Sequence, residues 1–537
     1  MKIAPVDLGI ILVYIVLITA IGVWMVRRKR VTGEVYFLAG RSLRWPVIGT
    51  ALFASNVSTI HLVGLAEGGY KYGLVLGNFE WMATFTLIFL ALVFAPFYFR
   101  SRISTLPEFL ERRYSPATRS ILAVMAVISA LLIHIGISLF AGAAVFKAFF
   151  GVDVVTSIVI IALVTALYTS LGGLKAVVFT ETVGTFVLLA GAITVTSLAI
   201  LALPGVGIHS LAEFERAVKP GQLSMLHSSN RDGYGWYAIL LGYPVLGVWY
   251  WCTDQTIVQR LLGAKTERDA QLGALLAGVL KTLPLFFMVL PGVVGYVLFR
   301  AQIGDEARET FPYMCNRLLP IGLKGLVAAA LVAALMSSIG AALNSVGTVV
   351  AIDLVKHFRP KTSDAAQVRI GAGCAVVVML LAMIWSTQGA KFGSIFEAIN
   401  KMPAQFLAPP ITTVFLWGVF WRRGTSAAAL ATLLAGFSFG IVEFLLDLPL
   451  FGSEQLITDG LGISFMMQAW WNFCLCSGIY FVVSLVTRAP ALATVESLTW
   501  SSPLKVILNG RLSGPSDPRL VAAYIVAGMA ALYGIFH

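Results

Sequence analysis

A polar run, Ala54-Ser-Asn-Val-Ser-Thr-Ile-His61, lies inside an otherwise apolar stretch from Trp45 to Tyr72 that is long enough to cross a bilayer. Lipid cannot satisfy hydroxyl, amide and imidazole groups at that depth, so we expect the run to face a cavity lined by protein. Ser, Thr and Asn also compete for backbone hydrogen bonds, which favours a local unwinding of the helix. Unwound backbone presents carbonyl oxygens, the natural ligands of an alkali cation. The run is therefore a candidate binding site.

Polar and ionisable residues recur at similar depth in four further apolar stretches. They are Glu80, Lys281, Ser337, Ser338, Asn400 and Lys401, and three aromatic residues, Trp249, Tyr250 and Trp251, lie at the end of another stretch. Ionisable residues inside a membrane mark ion or solute pathways by default.

Each of these residues also has a simpler structural interpretation. Membrane serines usually donate to their own helix carbonyls, and His61 would pack as a hydrogen-bonded imidazole between helices. Glu80 and Lys281 would neutralise one another. The three aromatic residues fit an interfacial belt, and Pro403 fits a simple kink. No single residue decides between the two interpretations.

The composition indicates one polytopic helical membrane domain without a soluble module. Of 537 residues, 58% are apolar and 12% are charged, and the mean hydropathy is +0.87, values that no soluble globular class shows. We predict fourteen spans, numbered 1 to 14, near residues 6–26, 45–72, 74–99, 118–149, 153–171, 177–202, 234–252, 271–299, 323–353, 368–387, 395–420, 425–447, 463–487 and 520–536.

The net charge of +12 indicates the membrane topology of the chain rather than a polyanionic partner. Most basic residues fall in the loops that are cytoplasmic if the N-terminus lies outside, including the cluster Arg27–Arg30. The positive-inside rule then places both termini on the extracytoplasmic side. We expect a multi-pass protein of the plasma (cell inner) membrane that contacts the lipid bilayer and no nucleic acid.

Enzyme chemistry and resident metals are not expected. The six histidines and five cysteines show no close ligand spacing. No nucleophile–base pair stands out in the sequence, so we predict neither catalysis nor an organic cofactor.

The run Val248-Trp-Tyr-Trp-Cys-Thr-Asp-Gln-Thr-Ile-Val-Gln-Arg260 resembles the signature of the sodium/solute symporter family, in its sodium/glucose cotransporter-like branch. Other segments that resemble this branch are Phe37–Ser42, Leu52–Asn56, His61–Leu65, Phe79–Trp81, Ala166–Thr169, Gly172–Leu174 and Leu335–Ser338. The resemblance covers about residues 37 to 420.

The resemblance implies an all-α polytopic membrane fold of two inverted five-helix repeats, the LeuT-like fold, with about fourteen transmembrane helices. The first repeat would be 45–202 and the second 234–420, with an extra N-terminal helix at 6–26 and C-terminal helices at 425–536.

The resemblance also implies sites for Na⁺ and for a sugar. The sodium ligands would be the carbonyl oxygens of Ala54, Val57 and Ala334 and the hydroxyls of Ser337 and Ser338. The sugar-binding positions would be Asn56, His61, Glu80, Tyr250, Trp251 and Lys281, with Asn400 and Lys401 at the corresponding place in span 11. These side chains suit a neutral polyol, because polar groups bond its hydroxyls and aromatic rings cover its C–H face.

The chain departs from the branch at several positions. Members with a second sodium add a hydroxyl where this chain has Gly340 or Ala341, and an aspartate where it has Glu181, so we expect one sodium. Lys401 stands where relatives have a sugar-binding glutamine; it would either admit an acidic sugar or reach outer water. Glu67 replaces a small residue for no reason visible in the sequence.

These features predict a sodium-coupled symporter that imports a monosaccharide of the glucose or galactose kind, with Na⁺ as the coupling ion. One alternative keeps the fold and changes the solute to a sialic acid, inositol, an amino acid or a carboxylate. Another is an uncoupled sugar sensor or leak.

Overall fold

The computed structural model describes residues 4–26, 38–228, 233–388, 400–447, 455–502, 505 and 512–537. Within these ranges the chain is helical, with no β-strand beyond two isolated bridges, Leu43 to Ala264 and His227 to Gly235. The predicted all-α fold is therefore confirmed.

Nine helices of the described ranges are long and apolar enough to cross a membrane. They are Leu74–Arg100, Pro116–Lys147, Val183–Val206, Glu267–Ile303, Leu323–Lys356, Asp364–Ser386, Ser426–Leu446, Phe465–Val486 and Pro518–Ile535. Further helices that coincide with predicted spans are Pro5–Val26, Trp45–Asn56, Thr59–Tyr72, Val154–Ala202, Trp236–Gly247 and Ala408–Phe420. Shorter helices are Leu106–Arg113, Leu211–Ala217, Gln255–Leu262, Thr310–Leu318 and Leu492–Val495.

Spans 5 and 6 both lie within one helical segment, Val154–Ala202, and no connecting loop separates them. At about 1.5 Å per residue, the 49 residues of this segment are long enough for both predicted spans. The side chains of residues 167–182 lie outside the described part of the structure. The number of fourteen spans and the division into repeats stay predictions.

Span 2 is broken, as the polar run predicts. Its halves, Trp45–Asn56 and Thr59–Tyr72, are bent by 60° at the break. Leu52, Leu62 and Leu65 are fully buried, so the parts of both halves that flank the break lie within protein rather than in lipid.

Close packing fixes span 2 against span 8. A Cβ atom added to Gly292 would lie 2.1 Å from the carbonyl oxygen of Ala66, and one added to Gly49 would lie 2.8 Å from that of Gly273. Glycine at such contacts lets two helix backbones approach one another within a membrane. Span 9, Leu323–Lys356, is buried along most of its length and lies at the centre of the molecule.

Several spans contain a π-helical turn, which is often found at functional sites. The turns are Leu90–Phe94, Ala130–Ile137, Val248–Thr253, Leu285–Val289, Val350–Lys356 and Pro403–Leu407. Those in spans 4, 7 and 11 contribute residues to the cavity described below.

Candidate functional site

The break in span 2 interrupts the helical hydrogen-bond ladder at residues 57 and 58. Val57 and Ser58 are extended, with φ/ψ of −73°/102° and −126°/173°. The Val57 amide donates to the carbonyl oxygen of Phe53 at 2.9 Å, and helical bonding resumes with the Leu62 amide, which donates to that of Ser58 at 3.2 Å. The break thus turns backbone carbonyls of this segment away from the helical pattern, as a cation site requires.

The candidate sodium ligands lie in the break and in the adjoining part of span 9. The Thr59 hydroxyl donates to the carbonyl oxygen of Leu331 at 2.5 Å, which joins the two elements. Ala54, Val57 and Ala334 are buried. The Ser338 hydroxyl donates to the carbonyl oxygen of Ala334 at 3.0 Å.

Among the described residues, Ser337 is the hydroxyl of this set without a hydrogen-bond partner. Its hydroxyl is buried and has no hydrogen bond to any described residue. A buried hydroxyl without a partner is costly, and a cation at this position would satisfy its oxygen.

Lys281 is the central charged residue of the site. It follows the helix that ends at Leu280 in span 8, and its ammonium group donates to Glu80 Oε2 of span 3 and to Asn56 Oδ1 of span 2. The Lys281 and Glu80 side chains are 1% and 3% exposed. The pair therefore brings three spans together around two opposite charges that compensate each other.

Asn56 fixes the orientation of its neighbours. Since its oxygen accepts from Lys281, its amide nitrogen is the donor to the Tyr250 hydroxyl at 3.1 Å and to His61 Nε2 at 3.2 Å. His61 Nε2 must then be unprotonated, so Nδ1 carries the hydrogen and donates to Ser58 Oγ at 3.3 Å. His61 is thus a neutral imidazole in this arrangement.

The aromatic residues of span 7 face the protein interior. Trp249 and Trp251 are 5% and 2% exposed, which does not fit an interfacial belt. The Tyr250 and Trp251 rings meet edge to face at 5.1 Å, and the Lys281 ammonium lies 5.4 Å from the centre of the Trp251 ring.

These side chains line one cavity of about 130 Å³. One water needs only about 10–15 Å³ by the same measure, so the cavity admits a much larger polar solute. Of the residues predicted from sequence, the lining includes Asn56, His61, Glu80, Tyr250, Trp251, Lys281, Ser338 and Asn400.

The sequence interpretation missed several lining residues, above all His134 and Ser138 of span 4. His134 Nε2 lies 3.0 Å from Asp254 Oδ2, and Asp254 Oδ1 accepts from the Thr256 amide at 2.8 Å. A signal was present, because His134 is the ionisable residue in the middle of span 4 and Asp254 belongs to the run Val248–Arg260.

Among the described residues, Lys401 and Glu67 were singled out in the sequence but do not line the cavity. Lys401 bonds Asp447 at 2.7 Å and Gln455 at 2.5 Å. Glu67 pairs with Lys71 at 2.9 Å, one helical turn away on span 2. The Glu181 side chain lies outside the described residues.

Comparison with known proteins gives close sequence relatives along most of the chain. Sodium/myo-inositol cotransporter 2 of Oryctolagus cuniculus is 33% identical over 534 residues, which cover 92% of this chain and 79% of the relative. Sodium/mannose cotransporter SLC5A10 of Bos taurus is 35% identical over 538 residues, 93% of this chain and 89% of the relative. Sodium/glucose cotransporter 4 of Danio rerio is 33% identical over 533 residues, 92% and 80% of the two chains.

Solved structures show the same fold at lower identity. A Na⁺-coupled sialic acid symporter in a substrate-bound outward-open state has a TM-score of 0.75 at 19% identity, over 90% of this chain and 99% of its own. MhsT in complex with L-phenylalanine has a TM-score of 0.51 at 16% identity, over 82% and 99%. The LeuT-like fold is thereby confirmed.

A family model described as the sodium:solute symporter family matches residues 36–436, about three quarters of the chain. Together with the relatives and the shared fold, this match shows that the chain belongs to the sodium:solute symporter family and is a sodium-coupled solute symporter.

Proposed function

We propose that this symporter couples the inward movement of one Na⁺ to the uptake of a neutral polyhydroxylated solute, a monosaccharide of the glucose or galactose kind. The arrangement of Lys281 between Glu80 and Asn56 carries the proposal. Because the ammonium and the carboxylate compensate each other, the cavity offers many hydrogen-bonding groups without an excess charge. A neutral polyol matches that chemistry, and the Trp251 and Tyr250 rings supply faces for its C–H groups.

The proposed sodium ligands are the carbonyl oxygens of Ala54, Val57 and Ala334 and the hydroxyls of Ser337 and Ser338. The unpartnered Ser337 hydroxyl supports this set. Ser338 would turn from the Ala334 carbonyl towards the ion, which frees both oxygens together. Oxygen ligands without a formal charge suit a monovalent cation that must later be released.

Coupling follows if the ion stabilises the arrangement that binds the solute. Asn56, which bonds Lys281 and Tyr250, directly precedes Val57 at the break. Sodium bound at Val57 and span 9 would therefore order the Asn56 amide, and the solute would bind more tightly to the ion-loaded carrier. Release of both ligands inside would allow the empty carrier to return.

We place the protein in the plasma (cell inner) membrane with both termini on the extracytoplasmic side. The basic residues of the predicted inner loops support this orientation. Arg422 and Arg423 follow the helix Ala408–Phe420 at the end we assign to the cytoplasm.

A second candidate solute is an inositol, also a neutral polyol. The myo-inositol cotransporters among the relatives favour it. The cavity chemistry described above suits a cyclic polyol equally well.

A solute panel tests the proposal. Purified protein in proteoliposomes should take up labelled glucose, galactose or myo-inositol in an inward sodium gradient, and should not do so when choline replaces sodium. Labelled sialic acid and an amino acid complete the panel. Sodium-dependent uptake of sialic acid or the amino acid, without uptake of the polyols, would refute the proposal of a neutral polyol. Solute counterflow that does not depend on sodium would identify an uncoupled carrier.

The Glu80→Gln variant tests whether the solute accepted in the panel binds in the cavity. The variant leaves the Lys281 charge without its carboxylate, so uptake of the accepted solute should fall by about tenfold or more, as for a buried pair that loses one partner. Glu67→Gln is the matched control, since it removes another buried carboxylate of a Lys pair away from the cavity. Equal loss in both variants would assign the effect to folding.

A further inference from the structure

Lys401 carries a charge beside the cavity without facing into it. Asn400 and Pro403, three residues apart on the helix, line the cavity. The Lys401 side chain instead runs to Asp447 at the end of span 12, where its ammonium lies 2.7 Å from Oδ2. The carbonyl oxygen of the Gln455 side chain accepts a second bond at 2.5 Å.

Asp447 is held in place from several sides. Its carboxylate is fully buried. Oδ1 accepts from the backbone amides of Ile457 and Thr458, both at 2.9 Å. Oδ2 accepts from the Thr458 hydroxyl at 2.7 Å and from Gln405 Nε2 at 3.2 Å. The acid is therefore a rigid receptor for the ammonium group.

The length of the lysine side chain makes the cavity an alternative destination. The ammonium group sits on a flexible four-carbon stem, and the neighbouring residue Asn400 already faces the solute space. An ammonium released from Asp447 would gain solvation or an anion at the cavity, since an unpaired charge is costly within a membrane.

We propose that Asp447 determines solute specificity by holding Lys401 away from the cavity and compensating its charge. With the pair intact, span 11 presents the Asn400 amide and no free cation, so a carboxylate-bearing sugar gains nothing there. This inference rests on the proposed function, because it explains how a lysine beside the cavity is compatible with a neutral solute.

Asp447→Asn tests the role of the carboxylate. An asparagine oxygen can still accept from the Ile457 and Thr458 amides, whereas its NH₂ group repels the ammonium of Lys401. Uptake of the labelled neutral solute is measured with unlabelled glucose or glucuronate as competitor, at zero membrane potential. Relative to glucose, glucuronate should compete about tenfold better than in wild type, the effect of one added charge-assisted hydrogen bond.

Two variants separate this effect from a general change of charge. Lys401→Gln/Asp447→Asn should return the ratio to the wild-type value, because the gain requires the lysine. Glu443→Gln removes a carboxylate one turn earlier on the same helix, bonded to Asn472, and should leave the ratio unchanged. If Asp447→Asn does not yield folded carrier, Gln455→Ala should shift the ratio in the same direction by a smaller factor.

An unchanged ratio in Asp447→Asn, or in Gln455→Ala where that variant replaces it, overturns the inference while the proposed function stands. The same shift in Glu443→Gln or in the double variant also overturns it. A wild type that takes up no neutral panel member refutes the proposed function, and the inference with it.

Discussion

Ser337 and Ser338 are adjacent in span 9 but differ in hydrogen bonding. Ser338 donates to the Ala334 carbonyl, which is the usual state of a serine in a membrane helix. The Ser337 hydroxyl is buried and has no partner among the described residues. Ser337→Ala therefore tests sodium binding without the loss of a helix hydrogen bond that Ser338→Ala would also cause.

Ser337→Ala should raise the half-saturating sodium concentration without lowering stability in the absence of sodium. The variant loses one of five proposed ligands, which predicts a shift of about tenfold for a charge-assisted contact of about 1.5 kcal/mol. It breaks no hydrogen bond to a described residue, so thermal unfolding in choline buffer should match wild type. Uptake against sodium concentration and unfolding with and without sodium measure both effects.

Ser157→Ala is a matched control, because this buried serine of span 5 donates to its own helix at the carbonyl of Asp153. Its sodium dependence should equal that of wild type. An unchanged sodium dependence in both Ser337→Ala and Ser338→Ala would remove the proposed cation site.

For single residues, the sequence predicted which side chains line the cavity better than it predicted the contacts they make. Asn56, Glu80 and Lys281 could be named because polar atoms in an apolar span must face protein or water. His134 was missed although it is ionisable and lies in mid-span, and its contact with Asp254 at 3.0 Å, 120 residues away in sequence, is visible only in the fold. Lys401 was assigned to the sugar-binding positions from its place in the sequence. That place does not show that its side chain turns towards Asp447.

Among the elements, the broken span 2 is the one on which the site depends. Its polar run predicted the break because Ser, Thr and Asn compete for backbone bonds, and the structure has extended residues at 57 and 58. The π-helical turns were not predicted, although four of the six contain or closely adjoin a proline (Pro96, Pro244, Pro284 or Pro403), because a proline indicates a kink but not its type. The continuous helix over Val154–Ala202 was not predicted either.

Gly292→Ala should disturb the half of span 2 that follows the break. The new methyl group would lie 2.1 Å from the Ala66 carbonyl oxygen, so one backbone must move. Overpacking of this kind costs about 1–3 kcal/mol, and we expect a lower unfolding temperature together with slower uptake. Gly478→Ala is the control, because its methyl group would meet no atom within 4 Å.

Thermal unfolding and initial uptake rates of both variants check the packing argument. Wild-type behaviour of Gly292→Ala would show that spans 2 and 8 are not in the close contact described. A reduced rate at unchanged stability would instead assign the contact to the movement of the carrier.

At the scale of the whole molecule, the burial pattern explains how a polar site exists inside a membrane. Span 9 is buried among other helices, whereas span 10 exposes Val377, Leu381 and Ile384 by 55%, 49% and 68%. Apolar side chains on the outside suit lipid. The polar residues of several spans can then share one interior cavity that no single span could sustain.

The stoichiometry is a property of the whole carrier and can be measured without variants. One inward charge at about 100 mV supplies about 2.3 kcal/mol, and a tenfold sodium gradient adds about 1.4 kcal/mol. One sodium per solute therefore supports accumulation of about five-hundredfold, and two would support about 10⁵-fold. Gly340 and Ala341 offer no hydroxyl for a second ion, so we expect the smaller value.

A proteoliposome experiment distinguishes one sodium per solute from two. The membrane potential and the sodium gradient are set as above, and the vesicles are loaded with about ten-thousandfold more solute than the bath. That solute gradient opposes entry by about 5.5 kcal/mol. This is more free energy than the entry of one sodium ion supplies, and less than the entry of two supplies. We expect net loss of solute with sodium flowing out against its gradient. Net gain would establish two sodium ions, and it would direct the search for the second site to Glu181, since the span 9 positions lack the hydroxyl.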